Sequence, residues 1–504
     1  MNAHSTPSRI FTPSPQQQAV FDWVKNGQGN AFVEAVAGSG KTTTLIEVLK
    51  LTEGSVAFAA YNNAIAKEIQ AKVAPLRFGN RVRVGTFHSF GFGAWRYVHK
   101  NVQAGPQAAR DKADMTAREL GIPQHLRGFV EKLVGLAKQR ALGLYGSISD
   151  ASEWYDIIDH FDLAHEIEDE GLISVGVELA IKALNYHKSI AHQIIDFDDM
   201  IYMPVISSIR MWQNDWLLTD ECQDTNGSRR AMARKMLSPR GRAIFVGDRF
   251  QAVYGFVGAD NDAVDRIKND FNCTQLPLTV TYRCPKSVVS LAQTVVSHIV
   301  AADEAPEGIV RTIQAIDIAG QDLQPSDAIL CRKTKPLVEL AYTLIRKGVA
   351  CHVEGKDIGV GLLKLVNKYS AKTLDALKDK LEAFRDRECV KLIAKGRETQ
   401  AENLADRVDT VFVMMDGCKT VRDLANKIAS MFMDSEDEPR PTLTLATVHR
   451  SKGREWSRVF LLGANVWMPS KYARQQWQLD QEYSLIYVAY TRAKHELVLA
   501  DVVE

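Results

Sequence analysis

At 504 residues the chain is too long for one simple core, and roughly 150 residues per domain implies about three or four structural units. Hydrophobic residues are 46% and charged residues 24% of the total, a balance that fits a globular protein and excludes a disordered or fibrous one. Lys and Arg number 62 against 61 Asp and Glu, a net charge of +1, so affinity for nucleic acid has to come from local features and not from bulk charge.

Met1 to Gln18 is polar and rich in Pro and Ser, without the charged start and apolar core of a secretory signal. No apolar run approaches the roughly 18 residues of a membrane span. The expectation is a cytoplasmic protein with no membrane partner. Cys222, Cys273, Cys284, Cys331, Cys351, Cys389 and Cys418 form no CxxC pair, so they are expected to be buried free thiols in a reducing compartment.

Asn30 to Val36 reads as a strand, Thr42 to Leu51 as a helix after a glycine turn, Ser55 to Ala60 as a strand, Asn62 to Val73 as a helix and Val82 to Thr86 as a strand. That alternation predicts a parallel sheet covered by helices. From about 95 to 195 the pattern turns to long amphipathic stretches such as Arg127 to Ala141, a helical insertion. Its Arg127, Lys132, Lys138 and Arg140 are either a solvated helix face or a surface for duplex phosphates. Strands resume at Trp216 to Thr219 and Ala243 to Gly247, each ending in acidic or glycine residues where α/β sheets place ligand-binding loops.

A second α/β region is expected from near Leu276, with strands at Ala328 to Cys331, Leu443 to Ala446, Arg458 to Leu462 and Glu496 to Ala500. Helical patterns at Leu362 to Tyr369 and Leu374 to Phe384, then the acidic connector Asp434 to Pro441, interrupt it.

Ala35-Val36-Ala37-Gly38-Ser39-Gly40-Lys41-Thr42 lies between a predicted strand and a predicted helix, the context a phosphate loop needs. Gly38 and Gly40 let backbone N–H groups turn toward phosphate oxygens, the helix N-terminus adds its positive dipole end, and Lys41 adds a point charge. Thr42 would place its hydroxyl on Mg²⁺. Ala35 stands where the general pattern has its first glycine. Leu217-Leu218-Thr219-Asp220-Glu221 ends a strand in paired carboxylates, suiting Asp220 to hold Mg²⁺ and Glu221 to orient or deprotonate a water.

With Cys222-Gln223-Asp224-Thr225-Asn226 following, these residues resemble the UvrD/Rep helicases of superfamily 1, and the resemblance runs nearly end to end. It implies two RecA-like parallel-sheet domains of the P-loop class, each interrupted by a mainly helical insertion. Residues 1–95 and 196–275 would form the first motor domain, 96–195 its insertion, 276–355 and 441–504 the second motor domain, and 356–440 a short second insertion. The nucleotide would be ATP with Mg²⁺, held by Ala37, Gly38, Ser39, Gly40, Lys41, Thr42 and Thr43, with Gln16 reading adenine.

Tyr61-Asn62-Asn63-Ala64 and Thr86-Phe87-His88-Ser89 are similar to family segments that contact single-stranded DNA, which implicates Tyr61, Asn62, Phe87 and His88. The stretch Gly247 to Ala259 resembles the third family motif, implying that Gln251 couples γ-phosphate to DNA and that Tyr254 and Phe256 face the bases. Val257 stands where the family usually has arginine. Tyr282-Arg283 resembles the fourth motif, with Tyr282 on adenine and Arg283 on the γ-phosphate. Thr447 to Trp456 resembles the fifth, implying DNA contacts from Thr447 and His449 and a nucleotide contact from Glu455. Tyr487 to Ala493 resembles the sixth, making Arg492 a second arginine finger, for which a permanent charge and planar fork are suited. Tyr483 replaces an arginine often found before that motif.

The implied activity is an ATP-driven helicase or translocase moving 3′ to 5′ on single-stranded DNA and acting at single-strand/duplex junctions. The alternative is a DNA-stimulated ATPase and translocase without robust unwinding, working as the motor subunit of a repair, replication or anti-phage nuclease complex. Since the chain ends just after Glu496 to Ala500, any nuclease is expected to be a separate protein. The lack of an Asn-Lys-x-Asp guanine motif argues against a GTPase.

Overall fold

The computed structural model describes residues 11–161, 163, 167, 170–253, 262–394, 398–433, 442–473 and 476–503. Two compact units emerge. The first comprises Met1–Ala35, Gly40–Arg249 and Tyr254–Leu278; the second comprises Val36–Ser39, Phe250–Val253 and Thr279–Glu504.

The sheet of the first unit has strands β1 (Asn30–Ala35), β2 (Val56–Ala60), β3 (Val82–Thr86), β4 (Asn214–Thr219), β5 (Leu237–Gly247) and β6 (Cys273–Leu278). They run in the order β3-β2-β4-β5-β1-β6, and every pair is parallel. The near-continuous apolar strands are explained by burial on both faces. Val33, Phe58, Leu218 and Ile244 point to a core shared with Val20, Leu45 and Ile69, while their neighbours Phe32, Ala57, Leu217 and Phe245 point to another with Phe87, Met232 and Ile267. Because β6 pairs with β1 from Asn30↔Cys273 to Ala35↔Leu278, the boundary expected near Leu276 falls inside a strand of the first sheet. The turn signals that mark domain linkers are weak there, and Pro277 sits on an edge strand where its missing N–H costs nothing.

Between β3 and β4 the chain is helical, at Phe87–Val98, Pro106–Glu119, Gln124–Gln139, Ala151–Phe161, Ile173–Ile190 and Asp199–Ile206. Leu126, Phe129, Val130, Leu133 and Ala137 recur at helical spacing and bury against Trp95, Trp154, Ile157 and Leu184. Lys138, read from sequence as one of four surface cations, is instead buried and ion-paired with Asp196 and Asp199. Arg127 donates to the Ile122 carbonyl and Arg140 lies over the Phe161 ring, so of the four only Lys132 is an exposed helix-face cation.

The second unit has a two-stranded ladder of β7 (Val280–Thr281) and β8 (Val300–Ala301), and a parallel sheet of β9 (Ile309–Gln314), β10 (Asp327–Cys331), β11 (Cys351–Glu354), β12 (Phe432–Met433), β13 (Leu443–Thr447), β14 (Trp456–Leu462) and β15 (Ala493–Asp501). The sheet order is β12-β11-β13-β10-β14-β15-β9. Helices Lys356–Asn367, Leu374–Ala394, Glu398–Met415 and Val421–Met431 share one continuous core with this sheet, joining Leu362, Leu377, Val408 and Ile428 to Ile329, Leu445 and Phe460. The connector expected at Asp434 to Pro441 lies outside the described residues. All seven cysteines are free thiols; Cys222, Cys284 and Cys331 are buried, and the other four are half-buried. Among the described residues no helix is long and apolar enough to cross a membrane.

Candidate functional site

The turn after β1 has Gly38 at φ +71° and Gly40 at φ +80°, left-handed values that side chains avoid, and Gly40 caps the helix Lys41–Leu51. The Ser39 hydroxyl is buried without a hydrogen-bond partner among the described residues, a donor of the kind an oxygen-rich anion satisfies. Thr43 is exposed on the first turn of the helix. Thr44 donates to the Gly40 carbonyl at 2.9 Å, and Gln17 Nε2 donates to Thr44 Oγ1 at 3.1 Å. Gln17 is buried and also closes a capping box with Ser14, whereas Gln16 beside it is half-buried on the same helix. Sequence reasoning missed Gln17; the Ser-x-x-Gln spacing from Ser14 was the signal that could have found it.

β4 delivers two carboxylates to the start of that helix. Lys41 Nζ lies 2.9 Å from Glu221, and the Thr42 hydroxyl donates to Asp220 at 2.7 Å. Glu221 has φ +51°, a strained value for a residue with a side chain, and its amide donates to Asp220 at 2.9 Å. Gln223 donates to Glu221 at 2.5 Å and accepts from the Asp248 amide at 3.1 Å, tying the end of β4 to the end of β5. Burial and the Glu221 charge push the Asp220 carboxyl up to about 6, against the pull of Lys41. Burial opposes the charge on Lys41, but Glu221, Asp248 and Asp220 outweigh it and hold the ammonium above its usual range. A hydroxyl and a carboxylate meeting at one point fit Mg²⁺, which takes oxygen ligands and commonly one or two carboxylates plus phosphate and water. The described residues include no group of three or more His, Cys, Asp or Glu that could hold a metal.

Of the residues expected to meet DNA, those at the ends of β2 and β3 divide into two kinds. Phe87 is 4% exposed and packs in the core under the sheet, so its ring is not a stacking platform; it opens the helix capped by Thr86 and turns inward. The Asn62 side chain caps the helix Asn63–Val73 by accepting from Ile65 N at 2.9 Å. His88 and Tyr61, by contrast, line a cavity of about 280 Å³ together with Phe197, Asp198, Asp224 and Arg229. His88 stacks on Phe197 at 3.7 Å with 20° between the rings, and Phe197 is 61% exposed. Burial, helped by the Arg229 charge, takes His88 down to about 3, so it is a neutral ring at physiological pH. Arg229 lies over Tyr61 at 4.9 Å. Phe197 was missed because an aromatic between acids, in Asp196-Phe197-Asp198-Asp199, carries no periodic signal. Tyr254 and Phe256, like Val257, lie outside the described residues.

In the second unit Arg492 is buried and donates to the carbonyls of Val488 at 2.9 Å and Arg454 at 3.1 Å, and to Gln251 Oε1 at 3.4 Å. Lys452 Nζ donates to the Gln251 carbonyl at 2.6 Å. Glu455 bridges two cations, Arg283 at 2.6 Å and Lys494 at 2.8 Å. Lys494 was not singled out from sequence. Tyr282 is 54% exposed, and its amide donates to the Gly38 carbonyl at 2.9 Å, while the Ala37 amide donates to the Tyr487 hydroxyl at 2.8 Å. Thr447 is buried at the end of β13, and His449 is held neutral at about 3 by desolvation and the Arg332 charge. Glu482 is met by Arg332 at 2.8 and 3.1 Å, with the neighbouring Tyr483 exposed.

Comparison with known proteins gives a consistent result. Residues 14–272 match the UvrD/REP helicase N-terminal domain, and residues 356–503 match the UvrD-like helicase C-terminal domain. The chain is 24% identical over 520 residues to F-box DNA helicase protein 1 of Schizosaccharomyces pombe, covering 94% of this chain and 55% of that protein. It is 25% identical over 308 residues to the ATP-dependent DNA helicase Rep of Escherichia coli, covering 56% of this chain and 43% of Rep. A probable DNA helicase II homolog of Mycoplasma genitalium is 22% identical over 610 residues, covering 95% of this chain and 83% of that protein. The chain thus spans about half the length of F-box DNA helicase protein 1 and Rep.

Proposed function

Because the chain belongs to the UvrD/Rep helicase family, we propose that it is an ATP-hydrolysing DNA motor that translocates 3′ to 5′ on single-stranded DNA and opens duplex at single-strand junctions. The observation that carries this reading is the meeting of Lys41, Thr42, Asp220 and Glu221 at one helix start in a unit that also presents the Tyr61, His88 and Phe197 cavity.

In this reading Lys41 exchanges Glu221 for a phosphate oxygen, which frees the Glu221 carboxylate to orient and deprotonate the attacking water. Thr42 and Asp220 would hold Mg²⁺, which when bound neutralises phosphate charge. Gln16 and Tyr282 are assigned to adenine, Glu455 to the nucleotide, and Arg283, Arg492 and Gln251 to the γ-phosphate. Arginine fingers in P-loop enzymes are worth about 10³ to 10⁵ in rate. Tyr61, His88, Thr447 and His449 are assigned to single-stranded DNA, as are Tyr254 and Phe256; Phe197 joins them on its exposure and stacking. A protein partner, a nuclease or a replication or repair factor, is part of the same proposal.

The test is ATP hydrolysis measured with no nucleic acid, single-stranded DNA, duplex DNA and RNA, beside strand displacement and translocation on tailed duplexes of each polarity. Stimulation by single-stranded DNA, abolished in Lys41→Ala and Glu221→Gln proteins that remain folded, is expected. Translocation without strand displacement would favour the motor-subunit alternative. Normal turnover in either variant would refute the assignment of the site.

A further inference from the structure

Lys112 and Lys138 are each 1% exposed, an unusual burial for lysine. They come from two different helices of the insertion, Pro106–Glu119 and Gln124–Gln139, and both reach the four-residue segment Asp196 to Asp199. Lys112 Nζ is 2.8 Å from Asp196 and also contacts Asp199; Lys138 Nζ is 2.6 Å from Asp196 and 2.7 Å from Asp199. The two aspartates also lock the backbone between them. Asp199 accepts from the Asp196 amide at 3.1 Å, and Asp196 accepts from the Asp199 amide at 2.9 Å. Gln139, next to Lys138, donates to Asp198 at 3.3 Å.

The carboxylates of Asp196 and Asp199 are therefore fixed from the insertion side, while Phe197, 61% exposed, faces outward against His88 in the cavity that Asp198 also lines. Apolar side chains of similar volume would hold a loop at least as stably, since charges are costly to bury. What a closed set of directional ion pairs adds is a defined geometry. The Lys138 helix also ends against the segment that follows Asp220 to Asn226. Ser228 donates to the Lys138 carbonyl, and a Cβ on Gly227 would sit 2.7 Å from the Arg140 carbonyl oxygen.

We propose that Lys112 and Lys138 are positioning residues for nucleic-acid binding: from the helical insertion they clamp Asp196 and Asp199 so that Phe197 is presented, ring parallel to His88, as a preformed stacking platform for a base of single-stranded DNA. This rests on the reading of the chain as a DNA motor. Removing one lysine leaves a buried carboxylate short of a partner, the segment relaxes, and the platform is no longer ready before DNA arrives. Lys41, Asp220 and Glu221 are untouched by that change.

The experiment measures the single-stranded oligonucleotide concentration that half-saturates ATP hydrolysis, in the full chain, for Lys112→Met, Lys138→Met, Phe197→Ala and the Lys112→Met/Phe197→Ala double variant. Losing one base–aromatic stack raises half-saturation by roughly 5- to 150-fold. The lysine variants are expected to rise within that range while turnover without DNA and at saturating DNA stays at the wild-type level. The double variant should bind no worse than Phe197→Ala alone, since both changes remove the same contact. If Phe197→Ala leaves half-saturation unchanged, the placing of DNA on Phe197 is wrong. If it raises half-saturation but the lysine variants do not, or the double variant shows the product of the two effects, the positioning role is overturned. Should a lysine variant fail to fold by circular dichroism, Lys112→Met/Asp196→Asn, which removes one charge of each sign, is judged by the same criteria.

Discussion

Replacing Asp220 by asparagine should stabilise the first unit while removing its proposed Mg²⁺ ligand. Asp220 is 3% exposed, and its carboxyl is pushed from 3.8 up to about 6 by burial and by the Glu221 charge. Between about pH 4 and 6 the native protein therefore holds a proton that the unfolded chain has already lost, so wild-type stability falls as pH rises across that window and is level above it. The gap between 3.8 and about 6 is worth about 3 kcal/mol at neutral pH. Asparagine can still meet the Thr42 hydroxyl and the Glu221 amide, with poorer geometry that costs about 1 kcal/mol, leaving about 2 kcal/mol in favour of the variant. For a unit of this size that is a rise of about 4 to 8 °C in melting temperature. Thermal denaturation followed by circular dichroism in metal-free buffer with EDTA, at pH 4, 5, 6 and 8, measures it. The difference should be small at pH 4, grow to pH 6 and then stay constant. A variant that melts at or below the wild type at pH 8, or a difference that does not change with pH, refutes the reasoning.

Gln17→Ala removes the capping box and the bond to Thr44, so it should cost about 1 to 2 kcal/mol and raise the KM for ATP more than it lowers kcat, read from steady-state hydrolysis. Arg332→Met strands the buried Glu482 carboxylate and should destabilise the second unit by about 3 to 5 kcal/mol in urea denaturation, whereas Tyr483→Ala, at an exposed position, should change it by less than about 0.5 kcal/mol. Phe87→Ala should cost about 3 to 5 kcal/mol as a core deletion; the same variant with wild-type stability and weakened DNA binding would restore Phe87 to the DNA surface.

Much of the fold was legible because buried parallel strands are near-continuous apolar runs bounded by turn residues. β1, β2 and β3 were read within a residue of their ends, and β4, β10 and β13 within two. β6, β9 and β11 were not read as strands. Cys273–Leu278 has a proline and a burial pattern without clean alternation, Ile309–Gln314 is an edge strand exposed at Ile309 itself, and Cys351–Glu354 has only four residues. At the site, Lys41, Thr42, Asp220 and Glu221 were legible because a phosphate loop and an acidic strand end are chemically constrained over consecutive residues. Gln17 and Phe197 were not: the spacing from Ser14 marks Gln17 only as part of a helix start, and its bond to Thr44, like the stacking of Phe197 on His88, joins residues far apart in the chain.

The two buried charge clusters of the first unit differ in a way that bears on their work. Asp196 is burdened by burial, but Lys138 and Lys112 outweigh it and hold its carboxyl far below the usual range, so that carboxylate is ionised without a further cation, while burial and the Lys138 charge lower Lys112 beside it. Asp220 has Lys41 and Thr42 for company and still titrates high, because burial and Glu221 together exceed what those partners return. A cluster of the first kind gains little from another cation and is suited to fixing geometry. An incomplete one, with a carboxylate still short of positive charge beside a glycine turn, is stabilised by a divalent cation that enters, which would bring its carboxyl back toward the usual range. Lysines on amphipathic helices give no sequence sign of which kind they serve, since Lys138 and Lys132 sit on the same helix and only the fold sends one inward.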